Sequence, residues 1–151
     1  MWDGVNVEGF ALAPYVRSTV RMSKDMLWHR MAPRQWVGVG AFTMFLAVAL
    51  GAFGAHGLKK VVDAEHVAIW QTGVQYQALH GLALILFGIW RERAPGGSLP
   101  AWGFLAGILL FSGSLYALTL GAPSWVGPLT PLGGLVFLAA WLAFGVQALR
   151  R

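Results

Sequence analysis

The sequence predicts an all-α membrane protein, a four-transmembrane-helix bundle with both termini on the cytoplasmic side (N-in/C-in). Three observations predict it. Charged residues make up only 11% of the chain and hydrophobic residues 57%, whereas a soluble domain carries about 25% charged residues to cover its surface. The apolar residues gather in four uncharged runs, and about 20 residues at 1.5 Å each span a hydrocarbon core of roughly 30 Å. The basic residues collect at alternate ends of those runs.

Residues 1–33 carry no run long enough to span. They read as a basic N-terminal extension: a disordered arm, a basic helix lying on the membrane surface, or sequence ahead of a start at Met22, Met26 or Met31. The membrane domain then occupies 34–151. Its first span is about 36–55, WVGVGAFTMFLAVALGAFGA. Both this stretch and the region before it are longer than a secretory leader allows, so it reads as a retained span.

The loop HGLKKVVDAEH follows, with Asp63 as expected N-cap and Glu65 in the first turn, where negative charge suits the helix dipole. The second span is about 67–90, with Trp70 and Trp90 expected at its two headgroup edges. RERAPGGSLP breaks it, and the third span runs over about 101–120. The loop GAPSWVGPLTP ends that span, and the fourth covers about 132–149. AVALGA in the first span and ALTLGA in the third form a weak echo of two tandem hairpins.

Orientation follows from the bases. Arg17, Arg21, Lys24, Arg30, Arg34, Arg91, Arg93, Arg150 and Arg151 place nine on one side, and Lys59 and Lys60 place two on the other. The richer side is cytoplasmic. The net charge of +5 is thereby assigned to orientation and anionic headgroups, with no nucleic acid as partner. Cysteine is absent, which excludes disulfides, thiolate metal sites and cysteine nucleophiles.

Helices in lipid associate by close packing, so small residues at four-residue spacing mark the expected seams. Ala47, Gly51 and Ala55 supply one on the first helix. Gly103 and Gly107, then Gly113, Ala117 and Gly121, supply it on the third, and Ala139 and Ala143 on the fourth.

The second span departs from this pattern. Its outer half, WQTGVQYQALH, packs Gln71, Thr72, Gln75, Tyr76, Gln77 and His80 into ten residues. Gly73, Tyr76, Gln77, His80 and Leu84 share one stripe, with Gln71 and Gln75 on nearly the opposite side. An unpartnered polar group costs about 2–7 kcal/mol in hydrocarbon, so this helix is expected at the centre of the bundle. His80 lies midway between Trp70 and Trp90, and an intramembrane ionisable residue marks a functional hypothesis. Tyr76, Ser112, Ser114, Tyr116 and Thr119 are its expected partners. One reading is a neutral imidazole tying two helices; the other is a group that handles protons or ions. No second histidine lies at matching depth, so a haem clamped by two histidines is not expected.

LGAFGAHGLKK (Leu50–Lys60) and WQTGVQYQALHGLAL (Trp70–Leu84) together resemble the small bacterial membrane proteins grouped as domain-of-unknown-function family 423. The resemblance covers roughly Arg34 to Arg151. It implies a four-helix protein of the bacterial inner membrane, transfers no site residue, and draws His56 into the same patch as Gln71, Gln75, Tyr76, Gln77 and His80. The resulting expectation is a non-enzymatic accessory or interaction protein with no catalytic, cofactor or metal residues. The alternative is a small oligomeric transporter or channel using a polar cavity around His80. Expected partners are the lipid bilayer and other membrane subunits or a second copy of the chain.

Overall fold

The four apolar runs lie within helices of the computed structural model, which describes residues 31–94 and 96–150. The expected basic extension lies, up to residue 30, outside the described residues. Helix α1 is Pro33–His56. Pro33 suits its first turn because the missing N–H would find no helical partner there, and Gln35 reaches back to accept the Ala32 N–H at 2.6 Å. Gly57 N–H closes the helix on the Phe53 carbonyl at 2.7 Å, and a 3-10 turn, Leu58–Lys60, follows.

Helix α2 is Ala64–Arg91. Asp63 caps it as its sequence position predicts: Oδ1 accepts the His66 backbone N–H at 2.9 Å and the His66 ring N–H at 2.8 Å. The backbone bond, then the ring bond, hold the Asp63 carboxyl below its ordinary value by favouring the charged form. At the other end the Arg91 guanidinium donates to the carbonyls of Ala94 and Gly96, fastening the loop.

Helix α3 is Leu99–Thr119. Over Ile108–Ser112 it widens into a π-turn, closed by Gly113 N–H on the Ile108 carbonyl. It stops at Gly121, whose φ of 89° lets Ala122 N–H return to the Ala117 carbonyl at 2.9 Å, a left-handed cap that glycine adopts without strain. Gly51, its counterpart in the sequence echo, lies inside α1, so the two glycines do not share a backbone role. After a 3-10 turn at Ser124–Val126, helix α4 is Leu129–Leu149. Among the described residues there is no strand.

Three helical segments of the described residues are long and apolar enough to cross a membrane: Pro33–Lys60, Leu99–Thr119 and Ser124–Leu149. Helix α2, at 28 residues, has the length but is not one of the three. His66, Gln71, Gln75, Gln77 and His80 dilute its apolar residues.

The helices pack as two antiparallel hairpins. Along α1 and α2, Gly88 meets the backbone of Pro33, Gly40 that of Gly81, and Gly54 the Trp70 indole; a Cβ added at any of the three would lie 2.7–2.8 Å from its neighbour. The buried face of α1 is Trp36, Gly40, Thr43, Ala47 and Gly54. Its small members recur every seven residues, and Ala55, expected on the seam, is exposed. Along α3 and α4, Gly103 meets Ala140, Gly107 receives the Phe137 ring, and Gly133 receives the backbone of Phe111. The expected pair Gly103 and Gly107 thus sits on the seam. The buried face of α4, however, is Gly133, Phe137 and Ala140, while Ala139 is exposed.

Helix α2 joins the hairpins. Its Trp70, Gly73 and Gln77 meet Tyr116 of α3, and its His80 and Phe87 meet Phe137, Trp141 and Phe144 of α4. The core of Trp36, Ala83, Leu84, Phe87, Ala101, Phe104, Phe137 and Ala140 closes one end around it. Trp70 is not a headgroup anchor as expected. It is buried, and its indole N–H donates to the Leu50 carbonyl at 2.9 Å in space that Gly54 leaves open. The outward faces remain apolar, with Phe42, Phe45, Val48, Leu138 and Leu142 all well exposed.

Candidate functional site

Gln77 is 5% exposed and ties three helices together. Its Nε2 donates to the Thr43 carbonyl of α1 at 3.1 Å, and its Oε1 accepts the Tyr116 hydroxyl of α3 at 2.9 Å. A carbonyl can only accept, which fixes which end of the amide is nitrogen and makes Tyr116 the donor to the other end. Gly73 makes the approach of Tyr116 possible, since a Cβ there would lie 2.8 Å from the ring.

His80 is 2% exposed and faces the other way, toward α4. Its ring stacks on Phe137 at a centroid distance of 3.4 Å and an angle of 7°. Nδ1 lies 2.8 Å from the Tyr76 carbonyl, and Nε2 accepts the Trp141 indole N–H at 3.2 Å. The carbonyl only accepts and the indole only donates, so the pair selects the neutral ring with its hydrogen on Nδ1. A doubly protonated ring would aim its Nε2–H at the indole N–H.

None of the side chains expected on α3 reaches His80. Tyr116 goes to Gln77; Ser114 pairs with Thr130 at 2.6 Å. Thr119 donates to the Leu115 carbonyl at 2.9 Å. Ser112 is fully buried in the π-turn with no hydrogen-bond partner among the described residues. Tyr76 offers His80 its carbonyl rather than its hydroxyl, and its ring, 39% exposed, stacks on Phe111. Gln71 is half-buried beside Gly54, Gln75 is exposed, and His56 is exposed at the last position of α1. The six candidate positions therefore separate into two buried ties, Gln77 and His80; Tyr76, whose ring stacks beside His80 at 6.0 Å; and Gln71, Gln75 and His56, whose side chains join neither tie.

Two open grooves flank α2. One, about 470 Å³, runs beside His80 between Tyr76, Leu79, Leu135, Leu138 and Trp141 and is almost wholly apolar. The other, about 630 Å³, lies between α1 and α3 with Gln77 and Tyr116 in its floor. Among the described residues no three histidine, aspartate or glutamate side chains converge as a metal site would need.

The model of the family described as "Protein of unknown function (DUF423)" matches residues 50–134. The UPF0382 membrane protein YwdK of Bacillus subtilis (strain 168) is 44% identical over 115 residues, covering 74% of this chain and 94% of that protein. The UPF0382 inner membrane protein YgdD of Escherichia coli (strain K12) is 40% identical over 126 residues, covering 80% of this chain and 93% of that protein. The chain belongs to this family. It is a membrane protein, as these relatives are named. A UPF0382 membrane protein of Haemophilus influenzae is 42% identical over 110 residues, covering 70% and 87% of the two chains. No solved structure matches.

The family segment holds Gln77, His80 and Tyr116, while Thr43, Phe137 and Trp141 lie outside it. Sequence reasoning missed Thr43, Phe137 and Trp141 as partners, and for Trp141 a signal existed. It stands in the middle of the fourth apolar run, away from the headgroup level tryptophan prefers, so its N–H needed an interior acceptor.

Proposed function

We propose that the chain crosses the bacterial inner membrane four times, with both termini cytoplasmic, and acts as a non-enzymatic accessory or interaction protein. The observation that carries this reading is the bonding of α2's buried side chains Gln77 and His80 to the neighbouring helices. Bonds of this kind let a helix carry buried polar side chains across lipid. The hairpin geometry agrees with the charge asymmetry: Arg34 at the start of α1 approaches Glu92 at the end of α2 at 3.9 Å, away from Lys59 and Lys60. Against the transport alternative, the groove beside His80 is walled by leucines and aromatics, and both ring nitrogens of His80 are engaged.

The test has two parts. In this cysteine-free chain, single cysteines replacing Arg93 and Lys60 are expected to react from the cytoplasmic and the outer side respectively. Reactivity of the Arg93 position from outside contradicts the topology. Purification from native membranes in mild detergent is expected to bring down a stoichiometric membrane partner, with recovery little changed by His80→Leu. A partner-free protein that gives pH-dependent flux in liposomes overturns the accessory reading in favour of transport.

A further inference from the structure

The groove between α1 and α3 is more than a gap between hairpins, because the polar groups in its floor retain unused valences. Gln77 spends one amide hydrogen on Thr43 and its oxygen on Tyr116. Its second N–H and the free lone pairs of the Tyr116 hydroxyl have no partner among the described residues. Both side chains line the groove. A buried N–H without an acceptor is uncommon and calls for one. No charged residue lines the groove, whose walls are Val39, Phe42 and Leu46 on one side and Leu105 and Leu109 on the other. Gly38 and Gly113 open the walls further, since a Cβ at either would meet nothing within 4 Å. The volume of about 630 Å³ falls in the usual range for small-molecule sites, about 300–1,000 Å³.

Depth narrows the occupant. Gln77 is the fourteenth of the 28 residues of α2, so it lies about 20 Å from either end of the helix. With α2 crossing the bilayer, as proposed above, the ester carbonyls of phospholipids stand about 15 Å away at the edges of the core. A neutral molecule dissolved in the hydrocarbon brings an acceptor to this level, which the phospholipid esters do not reach.

We propose that the α1–α3 groove binds an uncharged, membrane-dissolved ketone, a quinone or a long-chain aliphatic ketone, whose carbonyl accepts the second Gln77 N–H while its hydrocarbon tail lies along α1 and α3. The carbonyl fills the vacant Gln77 donor in the groove, and the apolar walls take the tail.

The test uses the full chain in phosphatidylcholine nanodiscs and an alkyl-tailed benzophenone, itself a neutral ketone, as photo-crosslinking probe. Labelling is expected on α1 and α3 at the groove walls, Phe42 and Leu109 among them. Decyl-benzoquinone and a long-chain aliphatic ketone serve as competitors, with decylbenzene as the control that lacks a carbonyl. At least one ketone is expected to compete about tenfold better than decylbenzene, and which one does so identifies the source. Gln77→Leu is expected to reduce that advantage about three- to tenfold, the worth of one hydrogen bond. Gly113→Leu sends its side chain into open space, so it is expected to remove labelling while leaving thermal unfolding unchanged. Equal competition by decylbenzene overturns the proposal, as does labelling that survives Gly113→Leu or falls instead beside His80. The cysteine topology test reports separately on whether α2 crosses the membrane.

Discussion

Gln77 and His80 stand three residues apart on one helix, both are buried, and they behave differently. Gln77 links α1 to α3 across a groove of about 630 Å³ and keeps a donor free. His80 is clamped between Phe137 and Trp141 with both nitrogens engaged. Polarity in an apolar run does not by itself mark a site; what matters is how much hydrogen-bonding capacity the neighbouring helices leave unspent. By that criterion the amide is the open position and the histidine the closed one, although the histidine is the residue that draws notice in the sequence.

The largest expected effect tests the seams that hold the two ties. Gly133→Ala forces a Cβ into the backbone of Phe111 in the π-turn. It is expected to cost about 1–3 kcal/mol by overpacking and to displace Phe137 and Trp141 from His80, leaving Gln77 bound. Reversible unfolding in bilayers, with Gly113→Leu as the unstrained control, reads the difference.

Next comes His80→Leu, which leaves the Trp141 N–H without its acceptor, at about 1–2 kcal/mol. Adding Trp141→Phe is expected to recover part of that loss, so the two substitutions are non-additive in a double-mutant cycle. Gln77→Leu is expected to cost less, about 0.6–1.7 kcal/mol, the range of such bonds in membranes. The Tyr116 hydroxyl it releases faces a groove rather than packed side chains. An equal or greater cost than His80→Leu would invert the comparison.

The smallest effect lies at the end of α2, outside both ties. The Asp63 carboxyl is held below its ordinary value of 3.8 by the bonds from His66. Its contribution is therefore full above that value and is lost as pH falls through the depressed folded-state value. Acid unfolding followed by circular dichroism is expected to show this step below pH 4, and Asp63→Ala to remove it.

Much of the fold is legible in the sequence because it depends on local terms. The four helices follow from uncharged runs, and the Asp63 cap from one side chain reaching three residues ahead. What was not legible depends on pairing between helices. The α1 seam uses Gly40, Ala47 and Gly54 rather than Ala47, Gly51 and Ala55, because a glycine-rich helix offers several small faces and only the partner selects one. Trp70 reads as an interfacial anchor, yet Gly54 makes room for it inside. The π-turn has no local signature and turns Phe111 toward Gly133. In the candidate site, Gln77 and His80 were visible as polar residues at depth. Their partners, Thr43, Tyr116 and Trp141, were not assignable, because hydrogen-bond choice depends on which helix lies beside which.

His80, on this geometry, ties α2 to α4 as a neutral ring. The most direct measurement is nitrogen-15 magnetic resonance of histidine-labelled protein in bilayers at pH 7, with the His80 signal assigned by its loss in His80→Gln. A single neutral ring with its hydrogen on Nδ1 is expected, and its Nε2 resonance shifts when Trp141 is replaced by Phe. A ring carrying its hydrogen on Nε2, or a mixture of both forms untouched by Trp141→Phe, would contradict it.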